Sequence, residues 1–532
     1  MRRCSAVVLV AGLAASTHAA EPFPVAFEDV TAKAGLLEPL AGLMGHGAAW
    51  GDFDGDGRPD LFVGGFCDRP DAEYAPAKGP VASGLFHQRP DGTFEHVKDS
   101  PANVFARTSG ALFIDLDNDG RPELYVANNA RAKGKKGAEP QTGASVRRSM
   151  LLRNEGGKLA DISATSTACP ESLLSARNVI PLDYNADGRL DLLLIEDRFT
   201  PSPQTRLFRN DGGLKFTDVT TEVGLPAGLF GLGAAVADLN GDGRPDIFVP
   251  HSNRLFLSTP GNKYREATEL QGVFAWKPLD NEDWPCGACF ADLNGDGRPD
   301  LVLTIHGKTA RNKVYINDGL MDGVPRFRDV MKEVGLGDPV PVKCPHVEVQ
   351  DFDNDGRPDI YISAAWLDDG QITPLIFHNT GVKDGLPRFV PPRPIGGPMV
   401  YFPAGPSADY DGDGRVDLFL VNWFANNHSR LLRNVSPPRN WLDVRARGNA
   451  TNRDGIGATV TIYRAGGLGK PDARLGVIEI NVGYGYASGQ LPVAHFGLAD
   501  AAAVDVRVTW PNGKTADRPN TKANQVLVVE EP

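Results

Sequence analysis

Side-chain oxygens recur at fixed intervals in seven places: DFDGDGRPD at Asp52, DLDNDGRPE at Asp115, DYNADGRLD at Asp183, DLNGDGRPD at Asp238 and Asp292, DFDNDGRPD at Asp351 and DYDGDGRVD at Asp409. Each loop offers oxygens at positions 1, 3, 5 and 9, with Gly at position 6. Alternate side chains on a tight loop can converge on one centre, and a backbone carbonyl at position 7 can join them. Hard oxygen donors in flexible geometry suit Ca2+. Mg2+ asks for a stricter octahedron, and transition metals normally recruit His or Cys.

The predicted ligands follow loop by loop. Loop 1 offers Asp52, Asp54, Asp56, the Arg58 carbonyl and Asp60; loop 2 offers Asp115, Asp117, Asp119, Arg121 and Glu123. Loop 3 has Asp183, Asn185, Asp187, Arg189 and Asp191, although Ala186 and Leu190 depart from the commoner residues. Loop 4 has Asp238, Asn240, Asp242, Arg244 and Asp246, and loop 5 has Asp292, Asn294, Asp296, Arg298 and Asp300. Loop 6 uses Asp351, Asp353, Asp355, Arg357 and Asp359, and loop 7 Asp409, Asp411, Asp413, Arg415 and Asp417. Up to seven structural Ca2+ ions are expected. Each guanidinium is expected to face away, since a bound cation would repel it. These are not EF-hands: position 12 holds Val63, Val126, Leu194, Val249, Leu303, Ile362 or Leu420 where Glu is required.

The elements that must position these loops are strands. Small and apolar residues precede each loop (GHGAAWGDFD, SGALFIDLD), a short apolar strand follows (LFVGG, LLLIE), and a hairpin such as LFRNDGGLKFTDV comes next. Loop starts lie 63, 68, 55, 54, 59 and 58 residues apart. Four short strands at such intervals cannot bury both faces alone, but neighbours in a closed ring can. The sequence therefore predicts an all-β chain: a seven-bladed β-propeller over 20–436 and a small C-terminal β domain over 437–532. FEDV at Phe27–Val30 is expected to supply the outer strand that the seventh module lacks.

The 532 residues carry a formal charge of −12, which becomes −14 if Arg2 and Arg3 leave with a predicted signal peptide at 1–19. The seven loops hold 25 of the 67 acidic residues, so they repel one another unless cations compensate, and nucleic acid is excluded as a partner. No later stretch is apolar enough for a transmembrane helix, and the expected location is secreted, periplasmic or at the cell surface. Cys67, Cys169, Cys286, Cys289 and Cys344 remain after the leader; Cys286–Cys289 could form a tight local bridge.

Together the loops and their flanking strands resemble the FG-GAP or VCBS repeat family, from about Phe27 to Asn434. The resemblance implies Ca2+ held in β-hairpin loops. NRDGIGATVTIY at Asn452, GYGYASGQLPVAHFGL at Gly483 and VDVRVTWPNG at Val504 resemble an ASPIC/UnbV domain. The combination is similar to the bacterial relatives of cartilage acidic protein 1, which implies extracellular adhesion or matrix roles and supplies no catalytic residues. Taken alone, the glycines and Asn512 read as turn formers, and Phe496 and Trp510 as core or docking residues.

The predicted function is exported, calcium-binding recognition, adhesion or scaffolding, with an extracellular protein or glycan as partner. Trp284, Trp366, Trp423, Phe424 and the insertion from Tyr74 to Ser83 are candidate contacts, and the basic segment from Lys133 could steer an acidic partner. The alternative is a secreted polysaccharide lyase or hydrolase. It would need His46, His251, His306 or His346 to converge with acids at the ring; the sequence contains no GxSxG motif or His-rich metal spacing.

Overall fold

A computed structural model describes residues 23–129, 147–170, 175–197, 204–307, 311–336, 343–363, 375–390, 393–394 and 403–532. The predicted signal peptide, Trp366 and most of the basic segment lie outside the described residues.

Among the described residues seven sheets follow one another, each with its acidic loop between the first and second strands. The first is Ala48–Gly51, Asp60–Val63, Gly84–Gln88 and Phe94–His96, in that antiparallel order. The next four begin at Thr108–Ile114, Ala176–Leu182, Ala235–Ala237 and Trp284–Ala291 and repeat the plan. In the sixth, Val347–Gln350 leads to Leu375–Phe377, which pairs with Arg393–Pro394, while Asn379–Lys383 and Leu386–Phe389 form a separate hairpin. The seventh has Ser407–Ala408, Asp417–Leu420 and Arg430–Asn434, and its fourth strand is Phe27–Asp29, paired Phe27 to Asn434 and Asp29 to Leu432. The N-terminal strand thus completes the last sheet, as the FEDV match predicted.

Consecutive sheets share their apolar faces. Phe62 packs with Phe113 between sheets 1 and 2, Tyr125 with Leu194 between 2 and 3, and Leu193 with Ile247 between 3 and 4. Phe248, Leu301 and Ile360 lie in one cluster across sheets 4, 5 and 6. Tyr361 and Leu418 join sheets 6 and 7, and Trp50 and Phe419 join sheet 7 back to sheet 1. Because both faces are covered, strands such as Thr108–Ile114 and Asp191–Glu196 are buried along their whole length. The architecture is all-β and propeller-like.

A recurring polar bridge reinforces these joints. An Asn on the third strand or just after it donates to the carbonyl at loop position 2 of the preceding sheet: Asn154 to Phe53 at 2.7 Å, Asn210 to Leu116 at 2.7 Å, Asn379 to Leu293 at 3.3 Å and Asn434 to Phe352 at 2.7 Å. Gln88 makes the same contact from sheet 1 to Tyr410 of sheet 7, at 2.8 Å.

The C-terminal part forms two sheets. Asn440–Arg447 lies between Ala494–Ala499 and Gln525–Glu530; Arg474–Glu479, Thr459–Arg464, Ala503–Thr509 and Thr515–Lys522 make the other. Phe496 and Trp510 are buried in this core, which is continuous with that between sheets 2 and 3. The expected Cys286–Cys289 bridge is not formed. Both thiols lie buried on the first strand of sheet 5, where a bulge between Pro285 and Ala288 interrupts the pairing.

Candidate metal centres and the filled ring centre

The acidic loops take their shape from a repeated backbone pattern. Positions 4 and 6 both have positive φ, for example +78° and +90° at Gly55 and Gly57. Gly enters this region without strain and Asn tolerates it. In loop 3 Ala186 adopts +56°, so the conformation persists where the preferred residue is lacking.

The carboxylates then bond to the loop itself. Asp52 accepts from the N–H groups of Asp56 at 3.0 Å and Gly57 at 2.9 Å, and the position 1 residues of the other loops do the same. The position 9 residue ties three strands together. Asp60 Oδ2 accepts from Phe53 N at 3.1 Å and its Oδ1 from Gln88 N at 2.9 Å; Asp191, Asp246, Asp300, Asp359, Asp417 and Glu123 repeat the clamp.

Three groups of loop acids bring ligand oxygens within 4.8 Å of one another: Asp52, Asp54 and Asp56; Asp115, Asp117 and Glu123; Asp351, Asp353 and Asp355. Buried Asp117 Oδ1 and Asp353 Oδ1 accept no hydrogen bond. Burial pushes Asp60, Asp246 and Glu123 each up to about 8, and Asp417 well above the usual carboxylate range. Oxygen donors, unsatisfied lone pairs and costly buried negative charge fit a hard divalent cation. The acidic clusters could therefore hold metal ions.

The arginines depart from expectation. Each guanidinium turns onto the position 5 carboxylate: Arg58 to Asp56, Arg121 to Asp119, Arg189 to Asp187, Arg244 to Asp242, Arg298 to Asp296, Arg357 to Asp355 and Arg415 to Asp413. Except for Arg244, the Nε also donates to a carbonyl on the third strand or just after it, as in Arg298 to Asn317 O at 2.7 Å. The fork is held between two acceptors on neighbouring chain segments, and attraction to the nearest acid sets its direction.

The C-terminal sheets stand over the same end. Asp115 N donates to Asp454 at 2.8 Å, Asp238 N to Glu479 at 3.1 Å and Arg453 N to Asn118 at 2.9 Å. His495 bridges Asp443 and Asn354 at 2.7 and 2.8 Å. Between these sheets and loops 4 to 6 lies a cavity of about 420 Å³, lined by Asp292, Arg298, Gln350, Val477, Glu479 and Tyr484 among others.

Segment 483–490 leaves the C-terminal sheets and enters the space on which the seven first strands converge. Gly483 O accepts from Asn178 of sheet 3 at 2.7 Å, and Gly485 N donates to Ala288 O of sheet 5 at 2.8 Å. Ser488–Gly489 runs parallel to Ala48–Ala49 of sheet 1. Gly489 lies against Ala111 of sheet 2, Gly485 against Gly233 of sheet 4, and Ser488 accepts from Gly405 N beside sheet 7 at 3.4 Å. Near sheet 6, His346 Nδ1 accepts from Tyr486 N at 2.9 Å, so its Nε2 donates to Glu348 at 2.9 Å. Glu348 also accepts from Gln490, Tyr484 and Ser407 at 2.6, 3.0 and 2.9 Å. His346 therefore anchors this inserted segment. The glycines serve close approach as well as turning: a Cβ on Gly485 would lie 2.6 Å from Val347 O.

The tip of the insertion points to the other end. Tyr486 Oη lies 3.2 Å from His46 Nδ1, which Arg177 also meets at 3.2 Å. Burial and the neighbouring Arg177 hold His46 well below the usual imidazole range. His46 lies 4.1 Å, ring to ring, from half-buried Trp423 and 4.8 Å from Phe66, over which Arg107 is placed at 4.0 Å. Trp284 is stacked between His251 and His306 at 5.4 and 5.2 Å. Tyr74 is an internal anchor: it is 1% exposed and bonds Phe66 O and Arg69 N. Sequence reasoning named Trp284, Trp423 and the four histidines separately. It missed the Asn bridges, whose signal was a recurring Asn at the third-strand end, and the insertion, whose signal was GYGYASG.

Residues 183–249, 292–362 and 351–420 match the FG-GAP-like repeat family, and residues 448–532 match the ASPIC and UnbV family. The chain is thus an all-β protein of FG-GAP-like repeats followed by an ASPIC and UnbV domain. It is similar to cartilage acidic protein 1 of Mus musculus, at 27% identity over 512 residues, spanning 91% of this chain and 74% of that one. The Homo sapiens protein of the same name is 27% identical over 89% of this chain and 70% of its own. Among solved structures, the periplasmic gluconolactonase PpgL of Pseudomonas aeruginosa superposes with a TM-score of 0.38 at 17% identity, covering 71% of this chain and 99% of that one. Among the described residues no helix is long and apolar enough to cross a membrane.

Proposed function

We propose that this is an exported recognition or adhesion scaffold: a seven-bladed ring over 20–436, braced by calcium in its acidic loops and capped by the domain over 437–532. The similarity to cartilage acidic protein 1 supports an extracellular setting. The carrying observation is half-buried Trp423, packed on His46 beside the tip of the inserted segment, over a buried layer in which Arg107 pairs with Asp68 and Arg177 with Asp197. A partly exposed indole fixed on such a paired layer offers a flat face to a sugar ring or a protein surface. The insertion fills the centre where the alternative enzyme would need its acid–base groups, and His46 and His346 are engaged in holding it.

The full chain in millimolar calcium, screened against glycan and extracellular-protein arrays, is expected to bind a glycan or protein ligand. Trp423→Ala should weaken that binding at least about tenfold, the loss of one aromatic hot spot, while thermal unfolding stays cooperative. No ligand across both arrays, or equal binding by the variant, would overturn the reading.

A further inference from the structure

Two of the seven loops carry a nitrogen donor that lies outside the repeated motif. The residue just before the recurring Asn or Gln of the third strand, or before Ser258 in sheet 4, is Arg153, Arg209, Leu257, Ile316 or Arg433 in five sheets, but His87 in sheet 1 and His378 in sheet 6. A guanidinium stays protonated and cannot ligate, and an alkyl chain has nothing to offer. The imidazoles turn inward. His378 Nδ1 is 3.0 Å from Asp359 Oδ1, and Asp353, Asp359 and His378 bring three ligand atoms within 4.8 Å of one another, all on buried residues. His87 Nδ1 lies 3.1 Å from Asp54 Oδ2 and 3.2 Å from Asp60 Oδ1, in a more open setting.

At loop 6 a second observation points to a ligand. Asp353 is 2% exposed and its Oδ1 is buried without a hydrogen bond, while Arg439 holds Oδ2 at 2.6 Å. The other ring nitrogen of His378 faces Asp355, with Nε2 4.0 Å from Oδ2. A metal-bound imidazole commonly presents its second nitrogen to a carboxylate. The Phe23 ring packs edge-on against His378 at 6.0 Å.

We propose that Asp353, Asp359 and His378 form a site for a borderline divalent transition ion such as Zn2+, with Asp54, Asp60 and His87 a weaker, more exposed counterpart. Hard calcium gains little from an imidazole, whereas zinc favours mixed nitrogen and oxygen donors and accepts three protein ligands with a fourth position open. At loops 1 and 6 the assignment uses carboxylates of the calcium reading and replaces it there; it is independent of that reading at loops 2, 3, 4, 5 and 7.

The test uses the full chain, stripped with chelator and titrated with Zn2+ in the presence of millimolar calcium, with X-ray absorption at the zinc edge. One tight and one weaker equivalent are expected, with nitrogen in the tight site's ligand shell. His378→Ala or His378→Gln should weaken the tight equivalent at least about tenfold without changing calcium-dependent unfolding, and His87→Ala should affect only the weaker one. An all-oxygen zinc shell, unchanged zinc binding in a folded His378 variant, or complete displacement by calcium would each overturn the proposal. Zinc binding without calcium binding would refute only the calcium reading.

Discussion

The two ends of the sheet array are built by different rules. At the acidic end, seven loops repeat one set of local bonds: position 1 caps the loop, position 9 clamps three strands, and an Asn or Gln bridges most neighbouring sheets. At the opposite end the shared bonds are fewer: in five sheets the residue before the third strand accepts from an N–H near the end of the second, as Ser83 from Gly65 at 2.9 Å and Ser429 from Asn422 at 3.0 Å. His46, Trp423, Arg177 and Tyr486 come from four separate segments, His46 lying 131 residues from Arg177 and 440 from Tyr486, and meet only because the sheets and the insertion bring them together. Repetition builds the frame, and the residues that depart from it meet around the tip of the insertion.

The largest effect should come from the insertion, which links the two ends. Gly485 has φ +72° and no space for a side chain beside Val347 O and His346. Gly485→Val should cost about 3 kcal/mol or more, from backbone strain and overpacking. Thermal unfolding would show this; a variant as stable as the parent would mean that the insertion is dispensable.

The bridges come next. Asn434 is fully buried and donates to Phe352 O and Val416 O while accepting from Ser436. Asn434→Ala should lose about 2–3 kcal/mol by leaving buried acceptors unsatisfied. Chemical denaturation would measure it, and a change under about 0.5 kcal/mol, the range of ordinary surface substitutions, would reduce the recurring Asn to a local turn residue.

A smaller effect is expected at the chain's end. Glu531 accepts from the N–H groups of Asn449, Ala450 and Thr451 at 2.8–2.9 Å and from Asn512 at 2.6 Å. Burial alone would raise its pKa; the donors, led by Thr451 and Asn449, hold it well below the usual range. Its contribution is therefore full above the unfolded value of about 4.3 and is lost as pH falls below it. Glu531→Gln should cost about 1–2 kcal/mol at pH 7, and the gap should narrow below pH ~4. A pH-independent gap would point to packing instead of charge.

The acidic end was legible because its rules are short-range. Period-two acids, glycine at position 6 and the following apolar strand all lie within a dozen residues, so the loops, the strand order and the N-terminal closing strand could be read directly. The guanidinium direction could not, because it depends on a third-strand carbonyl about 20 or 30 residues away, as for Arg298 and Asn317 or Arg58 and Gln88. Asn434 to Phe352 spans 82 positions and Tyr486 to His46 spans 440, distances at which spacing carries no information. His87 and His378 escaped notice because they lie 27 and 19 residues beyond the acids they face, Asp60 and Asp359.

The central claim is that the acidic end is a cation-braced frame. Calcium titration of chelator-stripped full chain by calorimetry, with thermal unfolding measured on the same samples, tests it most directly. The account predicts several saturable equivalents and a rise in unfolding temperature with calcium, each independent site adding about 2.7 kcal/mol at one hundred times its Kd. No saturable binding, or an unfolding temperature indifferent to calcium, would contradict it.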